Sequence, residues 1–226
     1  MAITTTDTAL LRLLQLSSAA LPVGGYSFSL GLEYAVDEGW ISDEAEVAQW
    51  LSLQLSESLA SVDLPLLRRQ SSALQSNDVT GFIYWNDYAL ACRETEELRL
   101  TDSAMGSALI KLLVDLGMPK TLPKALDDTS FVSGFALAAG FWEIDICAAS
   151  HGYCWSWLEN QVAAATKLVP LGQTSAQRLL GQLQSLIPEA VERSETVNDN
   201  AIGASLPALA MASAWHETQY SRLFRS

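Results

Sequence analysis

The chain has 226 residues, enough for one substantial core, and 49% of them are apolar, which excludes a disordered polymer. Thirteen lysines and arginines stand against 26 aspartates and glutamates, and the net charge of −13 has the wrong sign for a nucleic acid or an anionic membrane surface. Three cysteines in no disulfide or zinc spacing, and an N-terminus without the basic start of a signal peptide, point to the cytoplasm.

In chain order, Leu10, Leu13, Leu14 and Leu16 recur at helical spacing, and Leu21-Pro22 ends the helix they predict. Gly24-Gly25 permit a sharp turn, after which Ser27 or Ser29 caps a second helix carrying Phe28, Leu32 and Val36. The uncharged run from Leu13 to Leu32 approaches the length of a membrane span. Its Gln15, four serines, Pro22 and paired glycines argue against one. Ser42 is the expected cap of the next helix, whose face is Val47, Trp50, Leu51, Leu55 and Leu59. Asp63-Leu64-Pro65 reads as a fresh start, with aspartate as cap and proline in the first turn. Asn77-Asp78 opens a helix with the stripe Phe82, Trp85, Tyr88 and Ala89, which reads as core.

Glu94-Thr-Glu-Glu-Leu-Arg99 leads into Met105, Leu109, Leu112, Leu113 and Leu116, closed by Gly117 and Pro119. After a polar connector, Lys120 to Asp128, the small residues of Phe131–Gly140 allow close helix contact. A long helix from about Asp145 to Val169 is closed by Pro170, another runs from Thr174 to about Ile187-Pro188, and Glu192 to Ser205 reads as a loop or frayed helix. Pro207 starts the last helix. No strand-like alternation and no domain linker interrupt this pattern. The expected fold is all-α, a single domain spanning 1–226 as a bundle of about eight to ten helices. Trp50, Leu55, Leu109, Leu113 and Trp157 are expected in its core, and the ends, 1–8 and 220–226, are expected to be mobile.

Three motifs carry possible chemistry. Gly25-Tyr-Ser-Phe-Ser29 approaches a nucleophile elbow but ends in serine and follows no strand, and neither His151 nor His216 pairs with it. Cys147, His151 and Cys154 lie at i, i+4 and i+7, one helical face with ligands suited to a soft metal. Tyr153, Trp155 and Trp157 around them favour packing instead. The turn Lys167-Leu-Val-Pro-Leu-Gly-Gln173 has a glycine before a helix but lacks the phosphate-loop pattern.

Leu21-Pro-Val-Gly-Gly-Tyr-Ser-Phe-Ser-Leu-Gly-Leu-Glu33 resembles the N-terminal signature of the UreF family of urease accessory proteins. Trp157 through Gln173 and on to Arg178-Leu-Leu180 resembles the family's second signature, and Ala212 to Ser226 its third. Glu94 to Arg99 and Met105-Gly106 fit as well, so the likeness runs from about Leu10 to the end of the chain. It implies a non-enzymatic nickel-insertion chaperone component. Such a protein bridges a UreD/UreH-type protein and the GTPase UreG on apo-urease, as a homodimer, and modulates GTP-dependent assembly of the nickel centre. Nickel, GTP and Mg²⁺ would belong to the partners, with no cofactor in this chain.

On that resemblance the partner-binding residues are Tyr26, Ser29, Glu33, Lys167, Gln173, Tyr220, Arg222, Phe224 and Arg225. The alternative function is a helical metal-binding or small-molecule protein using Cys147, His151 and Cys154. The arginines of the tail are expected to fold back near Tyr26 once a partner is bound, because ordering seven residues costs roughly 1–2 kcal/mol each.

Overall fold

The computed structural model describes residues 6–121 and 125–225. The start of the predicted mobile segment 1–8, part of the connector Lys120 to Asp128, and Ser226 at the end of the tail lie outside the described residues. The described residues are helical with no strand, as the periodicity requires. In order they form α1 (Asp7–Leu16), a 3-10 turn (Gly25–Ser27), α2 (Leu32–Asp37), α3 (Glu44–Leu53), a π-helical stretch (Gln54–Asp63) and α4 (Leu64–Gln75). There follow α5 (Val79–Ala91), α6 (Glu96–Asp115), α7 (Phe131–Phe141), α8 (Ile146–Leu168), α9 (Gln173–Leu183), α10 (Ile187–Glu195) and α11 (Pro207–His216).

The bundle is built around α7, every residue of which is buried from Phe131 to Ala139. Ser133, Gly134, Ala136, Ala138 and Ala139 present so little side chain that α4 and α6 close on it from two sides. At Gly106 of α6 an added Cβ would stand 2.0 Å from the Thr129 carbonyl oxygen, so backbone meets backbone there. The entry to α7 is capped from a distance. Asp102 of α6 accepts from the Ser130 hydroxyl at 2.7 Å and the Phe131 amide at 3.0 Å, and Asn86 of α5 accepts from the Ser130 amide at 3.0 Å. Two of the amides at the start of α7 are thus met by carboxylate and carboxamide oxygens from neighbouring helices.

Several local expectations are corrected. Asp43, not Ser42, caps α3, accepting from the Glu46 amide at 2.9 Å, while the Glu46 carboxylate reaches back to the Ser42 amide at 2.7 Å. Pro65 is in the first turn of α4, as expected, but Asp63 makes no side-chain cap, because the chain runs helically from Glu44 to Gln75 through the wide π register. Pro65 has no N–H to offer the carbonyl four residues back, and that carbonyl, Ser61, accepts from the Gly203 amide at 3.2 Å instead. Pro188 sits in the first turn of α10 and does not end the preceding helix. The segment Glu192 to Ser205 is the end of α10 to Glu195, a 3-10 turn at Asp199–Ala201 and loop between and after them, tied down by Arg193 to Glu57 at 3.0 Å, Arg69 to Asp199 at 2.7 Å and Arg68 to Glu195.

Leu55, Leu109 and Leu113 are buried in the core, but Trp50 and Trp157 are half-buried at its edge. On α1 the expected leucines divide: Leu16 is buried with Ala9 and Leu13 packs against the core, while Leu10, Leu14 and the neighbouring Leu11 are exposed.

Candidate functional site

Residues 21–33 form a compact turn whose backbone dictates its sequence. Gly24 has φ +80° and Gly31 φ +80°, angles that a Cβ makes costly. Gly31 also lies against α11, where an added Cβ would be 3.2 Å from the Ser213 amide. Between them the 3-10 turn holds Tyr26 out in solvent, 64% exposed. Ser29 is fully buried, its hydroxyl accepting from the Glu33 amide at 3.3 Å. Glu33 is also buried.

The last residues of the chain lie across this turn. Glu33 accepts from the Leu223 amide at 2.5 Å through Oε1 and from the Phe224 amide at 2.8 Å through Oε2. The Arg225 amide donates to the Ser27 carbonyl at 2.9 Å. Phe224 is buried, and the Lys167 ammonium stands 5.1 Å over its ring. The predicted proximity of tail and Tyr26 turn is what the structure has, but the tail is seated within the chain itself. Its contacts are two charge-assisted amide bonds and a buried ring, stronger than the phenol–guanidinium contact expected. Arg222 and Arg225 remain exposed, as do Tyr220 and Leu223.

Beneath the strap lies His216, at the end of α11 and fully buried. Its Nδ1 is 2.9 Å from both carboxylate oxygens of Glu97, and its Nε2 is 3.1 Å from Glu33 Oε2. Burial alone would lower the pKa of the imidazole, but hydrogen bonds to Glu97 and Glu33 outweigh it and raise the pKa above the ordinary histidine value. Arg222 adds a cation 3.7 Å from Glu97 Oε2.

A second buried cluster lies behind the turn. Arg93 bonds Asp63 Oδ1 at 2.6 Å, its Nε lies 3.1 Å from Asp102 Oδ2 without good hydrogen-bond alignment, and the Tyr153 hydroxyl donates to Asp63 at 3.0 Å. Burial pushes the Arg93 pKa down, yet Asp102 and Asp63 together hold it well above its ordinary value. These groups floor a cavity of about 130 Å³, walled by Gly25, Phe28 and Trp157.

The other predicted residues separate. Lys167 and Gln173 are exposed at the end of α8 and the start of α9, where Gly172 is the cap. Ser29 and Glu33 are inside, so they shape the surface from below and do not form it. Cys147 Sγ is 3.8 Å from His151 Nδ1, which already contacts the Cys147 carbonyl at 2.8 Å, and Cys154 is buried with its thiol pKa driven far up by desolvation. Among the described residues no three His, Cys, Asp or Glu side chains are grouped to hold a metal ion.

A family model named UreF matches residues 41–184. The chain is 56% identical to a urease accessory protein UreF of Marinomonas sp. (strain MWYL1), an alignment covering 99% of this chain and 97% of that one. The chain belongs to the UreF family. Proteins of the same name from Alkalilimnicola ehrlichii and Hahella chejuensis are 48% and 45% identical, over 95% and 96% of this chain and 95% and 98% of theirs. In this UreF-family chain Glu33 joins the N-terminal turn to both His216 and the Leu223 and Phe224 amides. Among the described residues no helix is long and apolar enough to cross a membrane.

The residues missed from sequence left a trace. On α11 the buried positions Leu209, Ala212, Ser213 and His216 follow i, i+3, i+4, i+7, which sets the histidine on the inward face. On α6 the inward register of Leu113, Leu109 and Gly106 runs back through Asp102 to Glu97.

Proposed function

We propose that this chain is a cytoplasmic adaptor in urease maturation with no catalytic chemistry of its own. In this reading it bridges a UreD/UreH-type accessory protein and a UreG-type GTPase on apo-urease, as a homodimer, and modulates GTP-dependent assembly of the nickel centre. Nickel, GTP and Mg²⁺ are handled by those partners. The observation that carries the reading is the composite surface at the chain ends. Tyr26, Tyr220, Arg222, Leu223 and Arg225 are exposed together over a buried support, with Lys167 beside them. Exposed aromatics and arginines on rigid backing are what a protein partner reads. The exposed Leu10, Leu11 and Leu14 of α1 offer a separate apolar contact, suited to a second partner.

The test is co-purification with the UreD/UreH-type and UreG-type proteins of the same source. Deleting Tyr220 to Ser226 should abolish capture of the GTPase and leave capture of the UreD/UreH-type protein intact. Lys167→Ala should alter GTP turnover or nickel activation without changing helix content. GTPase capture that survives the deletion overturns the proposal.

A further inference from the structure

Glu33 is the anchor of the C-terminal strap, and what holds Glu33 in place is a histidine. Both nitrogens of His216 face carboxylate oxygens, at 2.9 Å to Glu97 and 3.1 Å to Glu33. A neutral imidazole has one N–H, so only the imidazolium satisfies both contacts. We propose that His216 is a proton-dependent latch: doubly protonated, it fixes Glu33 to accept the Leu223 and Phe224 amides, and on losing a proton it releases the strap from the Tyr26 turn.

The charges around the ring set the direction. Glu33 from α2 and Glu97 from α6 face it directly, Arg222 of the strap lies beyond Glu97, and Glu217 accepts from the Glu97 amide at 3.2 Å. Lys167, at the end of α8, sits over Phe224 and not over the ring. With the imidazolium, the two carboxylates are balanced by His216 and Arg222. Without it, a lone pair faces one carboxylate across about 3 Å in a dry site, which is repulsive. Glu97 keeps Arg222 and both its oxygens near Nδ1, so Glu33 is the group that turns away or hydrates. Its only other side-chain acceptor duty among these contacts is the strap, whose two amides are then unmet.

The sign follows from the raised pKa of His216. Stabilisation of the docked strap is complete below the ordinary value near 6.5 and is lost as pH rises through the raised value. Release of one proton makes docking fall by up to tenfold for each pH unit between the ordinary and the raised value, and no further above it. The latch is a property of the chain alone and does not depend on which partner reads the strap.

The experiment uses isotope-labelled full-length chain without partners. His216 ring nitrogen shifts are recorded by NMR from pH 6 to 9, with protection factors of the Leu223 and Phe224 amides corrected for intrinsic exchange. The expected result is a ring that is doubly protonated while the strap is docked, and strap protection that falls with its titration, while α7 amides stay protected. His216→Gln should flatten the pH response of the strap. Should that variant not fold, the wild-type titration decides by itself. A neutral ring while the strap is still protected, strap protection unchanged while His216 titrates, or a variant that keeps the wild-type pH response overturns the latch.

Discussion

Phe224→Ala should free the strap while leaving the bundle intact. Seating residues 222–225 costs roughly 1–2 kcal/mol per residue in backbone entropy, about 4–8 in all. Against this stand two amide–carboxylate bonds to Glu33 at about 1.5–3 kcal/mol each and one backbone bond to Ser27 at about 1 kcal/mol. Burial of the Phe224 ring adds about 2–3 kcal/mol. The gains, about 6–10 kcal/mol, exceed the cost by only a few kcal/mol, so the docked state is favoured and removable. Because the strap lifts off when the ring is lost, the site collapses to solvent and no core cavity remains. The loss is then the transfer free energy, about 2–3 kcal/mol, which shifts docked against free by about 30- to 150-fold. Trypsin cleavage after Arg222 reads the free population directly. The variant should be clipped there tens of times faster than wild type, with an unchanged melting temperature. Equal cleavage rates would refute the assignment of Phe224 as the apolar anchor.

Three further outcomes follow from the interior. Gly106→Ala places a methyl against the Thr129–Ser130 backbone, which cannot rotate away as a side chain would; overpacking should outweigh the helix-propensity gain and lower stability by about 1–3 kcal/mol, read as a fall in melting temperature. Arg93→Met leaves Asp63 and Asp102 without their shared cation, although Tyr153, Ser130 and Phe131 still donate to them. Urea denaturation should show a loss of about 3 kcal/mol, at the low end for a broken buried ion pair. The Cys154 thiol is buried and held far above its usual pKa, while Cys92 and Cys147 are raised less by partial burial. A thiol reagent at pH 8 should modify Cys92 and Cys147 slowly and Cys154 only after unfolding.

The all-helical fold was legible because apolar period survives burial: Leu109 and Leu113 on α6, Val47 and Leu51 on α3, and the small-residue run of α7 all lie where the pattern puts them. What failed was reading punctuation one residue at a time. Pro65 is in the first turn of α4, as read, but α4 is no fresh start, since it continues the π-helical stretch without a break. A π register and a Ser61 carbonyl that accepts from the Gly203 amide allow that continuity, and neither is visible in local sequence. Pro188 misled in the opposite sense, taken as a stop where it begins α10. On α1 Leu13 and Leu16 face the core and Leu10 and Leu14 do not, since a short helix with leucines around most of its circumference does not say which face is inward.

The site was half legible for a different reason. Turn chemistry announces itself locally, so Gly24 and the exposed Tyr26 could be placed from the segment alone, whereas the positive φ of Gly31 was not read. Glu33 could not, because a carboxylate on a short helix normally faces water, and its burial is tolerable only through partners 183 and 190 residues away in sequence. The same dependence ties the surface to the interior. A contact on Tyr26 presses on a turn whose Ser27 carbonyl holds Arg225, and a pull on Arg225 acts through Phe224 on Glu33 and so on His216. Any partner that reads one end of the chain therefore acts on a structure to which both ends belong. Its binding energy is spent partly on the buried Glu33–His216–Glu97 contacts that it never touches.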